Sequence, residues 1–165
     1  MYRTLQDFLT DWEYESAMTL KVFEHINDES LSLKSYDDVR SMARLCWHIT
    51  ETLKEMPGHA GLNIEGVADD QHPASIAAII DTYTRSSASI VKELTVHWSD
   101  VQLTDMVNMY GEDWAKGTVL SVLVRHQSHH RGQLTILMRQ AGLQVPGVYG
   151  PSKEEWAGMG MNPME

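Results

Sequence analysis

Imidazole is neutral near pH 7 and binds divalent metal ions strongly, so clustered histidines are where chemistry is sought first. Three of the eight histidines in this chain fall within five positions, in the run His126-Gln127-Ser128-His129-His130-Arg131-Gly132-Gln133. On an α-helix, residues four apart sit one above the other, so His126 and His130 can converge on a single point. Both lie on the apolar stripe marked by Val119, Leu123, Leu134 and Leu137. They therefore face the interior, where an imidazole without a partner is costly. Spacing alone leaves two readings open: ligands of a metal ion, or core histidines bonded to carboxylates or carbonyls. His129 is the rival partner of His126 at i, i+3, but its direction departs from that of His130 by about 100°. A third ligand would have to come from another helix. His48 is the candidate, one turn from Leu45 and beside Ile49 at the edge of an apolar face. His25, His59, His72 and His97 fall at helix ends or in loops and read as solvated or capping residues.

Around the cluster, Arg131 reads equally as an anion contact or a surface ion pair. Gly132 inside a helix costs about 1 kcal/mol relative to alanine, which suggests a close helix–helix approach. Gln133 is placed either to orient a ligand ring or to cap a buried carbonyl. Trp47 reads as core or interface more readily than as a pocket wall. Cys46, the single cysteine, excludes a disulfide framework and reads as a small core residue rather than a nucleophile. The ten methionines invite a copper reading, but core filling and the tail Met159-Gly160-Met161-Asn162-Pro163-Met164 account for them.

The elements that must position these side chains are helical. Leu5, Phe8, Leu9, Trp12, Thr19, Leu20 and Phe23 recur at three- and four-residue steps, predicting a helix over about 3–27. A second helix is expected over about 37–56, opened by a capping box at Ser35 to Asp38 and stopped by Pro57-Gly58. A third follows Pro73 and ends near 97. The fourth starts at an N-cap between Asp113 and Thr118 and runs to Ala141, with Gly142 as its stop. The link from Pro57 to His72 is long enough to cross a bundle, so the second and third helices are free to run parallel. A short extended piece is expected at Asp105 to Tyr110, an irregular tail from Val145, and a last helical turn near Lys153 to Ala157. The expected fold class is thus all-α, a four-helix bundle of up-down-down-up order, forming one domain over 1–165.

Composition narrows the function. With 42% hydrophobic and 22% charged residues, the chain resembles a soluble globular protein, and no apolar run reaches the roughly 18 residues of a membrane span. A net charge of −10 opposes nucleic-acid binding, which depends on neutralising phosphates. The first residues carry acids where a signal peptide needs an apolar run, so a cytoplasmic location is expected.

The stretch His126 to Gln133, together with Leu45-Cys46-Trp47-His48-Ile49, resembles the signature of the DinB/YfiT-like superfamily. The likeness extends over nearly the whole chain, including the region of Trp12 and Glu15 and the closing Tyr149-Gly-Pro-Ser-Lys-Glu-Glu-Trp156. It implies a four-helix bundle, usually homodimeric, whose His48, His126 and His130 hold zinc, nickel or a similar divalent ion, iron and manganese being the lesser options. An ion held by these three histidines would lower the pKa of a bound water or thiol, so a metal-dependent enzyme of hydrolase or thiol S-transferase type is expected, the latter with a low-molecular-weight thiol as cosubstrate. The alternative is a non-catalytic dimeric module that binds a metal or small ligand. No glutamate stands in a His-Glu-x-x-His arrangement, so a zincin-type protease is not expected.

Overall fold

The protein is described here by a computed structural model covering residues 2–67 and 72–162. It is mostly helical. Helix α1 spans Leu5–Phe23, α2 Met42–His59, α3 Ile76–His97 and α4 Lys116–Gln140, with a single turn, α5, at Lys153–Trp156. The expected all-α class lacks one feature that is present, a two-stranded antiparallel sheet of β1 (Met106–Met109) and β2 (Glu112–Ala115).

Local chemistry sets the helix ends, and it differs from the expected boundaries at several of them. Helix α1 starts at Leu5 because Thr4 and Asp7 form a reciprocal capping box. It stops at Phe23 rather than near 27, and Asn27 instead caps a short 3-10 turn at Asp28–Ser30. The capping box expected at Ser35 to Asp38 is not used. Ser41 caps α2 by accepting the Arg44 N–H, so the residues before it form part of the link. Pro57 does not end α2. It sits in the last turn, and Gly61 at φ +92° makes the left-handed exit, with Leu62 N–H donating to the Pro57 carbonyl. Ser75, not Pro73, opens α3 by accepting the Ala78 N–H. Gly142 ends α4 as expected, at φ +71°, with Gly142 donating to Arg139 and Leu143 to Met138 in a Schellman motif.

The extended piece expected near Asp105 to Tyr110 contains β1, and the region where a fourth N-cap was sought is β2. Asp113 pairs with Asn108 across the ladder, and Thr118 lies inside α4. Tyr110 and Gly111 both have positive φ, 56° and 89°, as a two-residue hairpin turn of type I′ requires. Part of the long link between α2 and α3, residues 68–71, and the tail residues Pro163 and Met164 lie outside the described residues.

The helices bury their stripes pairwise: α1 packs on α3 and α4, and α2 packs on α3 and α4. Phe8, Trp12, Phe23, Ile49, Leu53, Tyr83, Leu94, Leu123 and Leu134 meet in the shared core. At one end of the molecule Asp28 accepts the N–H of Ile76 and Leu31 accepts that of Ala43, so the end of α1 lies beside the starts of α2 and α3. Elsewhere the start of α1 meets the segment after α3, where Leu5 N–H donates to Asp100 at 2.8 Å. Among the described residues no helix is long and apolar enough to cross a membrane.

Candidate metal centre

Helix α4 carries His126 and His130 on the face that packs against α2, and α2 answers with His48. The Nε2 atom of His126 lies 3.1 Å from that of His48 and 3.1 Å from that of His130. Ring centroids are 4.4–4.8 Å apart in edge-on arrangements, and the three candidate ligand atoms all lie within 4.8 Å of one another. His130 is buried, whereas His48 and His126 are partly exposed. His129 is exposed: its ring touches that of His130 edge-on at 4.8 Å, but its Nε2 accepts from the Gln133 amide and is not one of the three converging nitrogens.

The outer nitrogens determine what the inner ones can be. His48 Nδ1 meets the Glu51 carboxylate at 3.0 Å, and a carboxylate only accepts, so Nδ1 carries the hydrogen. His130 Nδ1 lies 2.7 Å from Gln133 Oε1, again an acceptor. In their neutral forms both rings therefore aim an Nε2 lone pair at His126. A hydrogen on His126 Nε2 can satisfy one of these lone pairs but not both. Moreover, His126 Nδ1 is buried without a hydrogen-bond partner among the described residues. Burial and the neighbouring rings His130 and His48 push the His126 pKa down to about 4, so protonation is a poor remedy. Burial also lowers that of His130. Three converging nitrogen lone pairs, two of them fixed by outer partners, fit a divalent cation better than they fit each other.

Sequence reasoning missed Glu51, although His48 and Glu51 at i, i+3 on one helix carried the signal. Burial raises the Glu51 pKa, but hydrogen bonds from Arg44 and His48 outweigh it and hold the carboxyl below its usual range. Arg44 grips it with both terminal nitrogens, at 3.0 and 3.1 Å. Gln133 takes the first of its two expected roles and orients His130. Trp47 and Cys46 are buried in the core, where burial also raises the Cys46 thiol pKa. Beside the cluster opens a cleft of about 490 Å³, walled by Tyr36, Val39, Leu45, Ile136 and Leu137, with Arg40 and Gln133 at its polar edge.

Two expectations for α4 are corrected. Arg131 is neither an anion contact at the cluster nor a surface pair. It is 2% exposed and bonds Glu15, Thr19 Oγ1 and the Tyr149 phenol, on the face of α4 turned toward α1. Tyr149 also donates to the Glu15 carboxylate at 2.8 Å, which ties the irregular C-terminal segment to the core. Gly132 makes no close helix–helix approach: it is exposed, and an added Cβ would meet nothing within 4 Å. Gln127, not singled out by its sequence, is fully buried and links Tyr83, Thr19 and the Ile49 carbonyl at the centre of the four long helices. The remaining histidines lie away from the cluster: His25 contacts the Lys21 carbonyl, His59 stacks edge-on with Tyr110, His72 contacts the Pro73 carbonyl and His97 faces Glu93.

This architecture has known counterparts. The chain is 39% identical over 162 residues to YrdA of Bacillus subtilis (strain 168), itself described as uncharacterized, covering 98% of this chain and 97% of that protein. It is 23% identical over 133 residues to YjoA of the same organism, which is also described as uncharacterized. The crystal structure of a DinB-like protein from Bacillus cereus ATCC 10987 superposes with a TM-score of 0.87 at 39% identity, covering 90% of this chain and all of the other. The crystal structure of the DinB-like YjoA shares the fold, with a TM-score of 0.69 at 21% identity over 86% of this chain and 96% of that one. The family model described as the DinB family matches residues 1–164, and with these relatives it shows that the chain belongs to the DinB family.

Proposed function

We propose that His48, His126 and His130 bind one divalent metal ion and that the protein is a metal-dependent enzyme of the hydrolase or thiol S-transferase type. The observation that carries this reading is the meeting of three Nε2 atoms around one point while Glu51 and Gln133 fix the outer nitrogens of two of the rings. Zinc or nickel suits three imidazoles, with iron or manganese as lesser options. A divalent ion bound at such a site lowers the pKa of a water or thiol, giving a nucleophile at neutral pH. The partial exposure of His48 and His126 and the cleft beside them support a site with open coordination positions rather than a closed structural one. For thiol transfer, the cosubstrate is a low-molecular-weight thiol.

The same reading includes an up-down-down-up bundle in one domain, supported by the grouping of the end of α1 with the starts of α2 and α3. It includes a homodimer in the cytoplasm without nucleic-acid or membrane partners, and the acidic charge supports the exclusion of nucleic acid.

Elemental analysis of protein purified without an affinity tag tests the first step: about one divalent ion per chain is expected, and none after His126→Ala. Activity is then sought with a panel of thiols and electrophilic acceptors. A metal-free protein as active as the loaded one overturns the enzyme reading. Metal that raises the melting temperature without any catalytic consequence favours a binding module instead.

A further inference from the structure

We propose that the cleft between the α1–α2 link and α4 is the substrate pocket, and that Arg40 receives the single carboxylate of an amphipathic substrate or cosubstrate whose apolar body lies on Val39, Ile136 and Leu137. The cleft has two unlike parts. Its walls are apolar, with Leu45 and Leu137 as its floor and Ile136 standing 57% exposed at its rim. Arg40, the cation among its lining residues, is exposed and has no ion-pair partner among the described residues. Arg3 and Arg125 also lack an ion pair among the described residues, but of the three only Arg40 lines this cleft. Of the two arginines that flank the histidines in sequence, Arg131 is occupied by Glu15 and Arg125 bonds the Ser121 hydroxyl, and neither lines the cleft, so Arg40 is the cation placed to meet a ligand there.

The cleft adjoins the reacting end. Gln133 lines it and also holds His130 Nδ1 at 2.7 Å, so the cleft and the cluster share a wall. A ligand anchored on Arg40 therefore lies with its other end toward the three histidines. Asp38 lines the same cleft and sets the charge of that ligand. A planar carboxylate matches the guanidinium fork, and each further negative charge on the ligand adds repulsion from Asp38. The inference rests on the metal reading for the reacting end of the substrate and is independent of it for the anionic end.

The test separates the two. Metal-free protein is titrated with hexanoate, hexan-1-ol and hexyl phosphate by calorimetry. Hexanoate is expected to bind tighter than the alcohol by on the order of tenfold, the size of a charge-assisted hydrogen bond, and hexyl phosphate no tighter than hexanoate. Arg40→Gln should bring hexanoate down to the alcohol, while Arg85→Gln, at an arginine already paired with Glu65 and Asp81, should change nothing. Equal binding of hexanoate and hexan-1-ol, no binding of either, or an undiminished preference in Arg40→Gln overturns the proposal. A tenfold preference for hexyl phosphate overturns the monocarboxylate assignment. In cobalt-loaded protein, 6-mercaptohexanoate should produce thiolate-to-cobalt absorption at lower concentration than hexane-1-thiol, and Arg40→Gln should erase the difference. Protein that takes up no cobalt sinks the metal reading and leaves the hexanoate result to decide the pocket.

Discussion

Replacing Glu51 with glutamine removes one negative charge at a distance of 3.0 Å from the His48 ring and changes almost nothing else in shape. The amide oxygen can still accept from Nδ1–H, so the tautomer survives. What is lost is the charge that makes the imidazole a stronger donor through Nε2, and the Arg44 grip that keeps the acceptor in place. Outer partners of this kind are worth about 10- to 100-fold in metal affinity. That corresponds to roughly 1.4–2.7 kcal/mol. Glu51→Ala, which also frees the ring to turn, belongs at the upper end of that range. The assay is a competition titration of zinc against a chromophoric chelator, with Glu55→Gln as control, because Glu55 lies one turn further on α2 and bonds the Tyr110 hydroxyl instead. Unfolding of the metal-free variants by denaturant separates a local effect from a general weakening of α2. If Glu51→Ala binds zinc within about twofold of the parent, the carboxylate does not tune the ligand and the argument from outer partners is wrong.

Breaking the buried pair by Arg131→Met should cost about 3–5 kcal/mol, because it strands a carboxylate whose side chain is only 10% exposed. For a chain of this size that is a fall in melting temperature of roughly 6–20 °C, and Glu15→Gln combined with Arg131→Met should recover much of it; strictly additive losses would show that the two side chains are not coupled. Acidification should weaken the metal-free protein, since the fold lowers the His126 pKa to about 4 while the unfolded chain keeps its ordinary value near 6.5. The unfolded state then takes up the proton first, so stability is level above about pH 6.5 and declines toward pH 4. A urea midpoint indifferent to pH across that window contradicts the assignment. Gly132→Ala should stabilise a monomeric fold by about 0.5–1 kcal/mol, because the position is helical, exposed and open. Destabilisation instead would mean that a second copy packs closely there, and sedimentation of the variant would show dissociation.

The histidine geometry was readable because it needs only the helical period: His126 and His130 share a stripe with Leu123 and Leu134, and all four face inward. His48 lay on the edge of another stripe, which is where a ligand that must also meet solvent belongs. The failures have physical causes as well. Ser35 to Asp38 has the letters of a capping box, but the Ser35 hydroxyl donates to Gln140 on α4 instead, while Ser41 begins where the chain returns to Leu31 and Leu33. The Pro57-Gly58 pair looked like a stop because proline lacks an N–H and crowds the preceding turn, yet α2 carries Pro57 in its last turn and the stop lies at Gly61. Arg131 and Gln127 sit about 100–140° around α4 from His126, facing α1, and no local pattern tells a buried arginine from an exposed one until its carboxylate, 116 positions away, is brought beside it. Gly132 misled for the opposite reason, since a helical glycine implies a neighbour only if some other surface covers it.

The Tyr149 phenol closes on Glu15 and Arg131 from a segment that looks, by composition, like a site for nicking or fusion. Its Gly-Val-Tyr-Gly-Pro-Ser letters suggest a loose end. In fact Lys21 holds the Gly147 carbonyl, Tyr14 holds that of Val148, and Glu155 reaches back to the Gly147 N–H. Cutting the chain between Leu143 and Tyr149 would therefore release the phenol that bonds two interior charges. Limited proteolysis in this stretch should report on the integrity of the whole helical interior, before any change in helix content becomes visible.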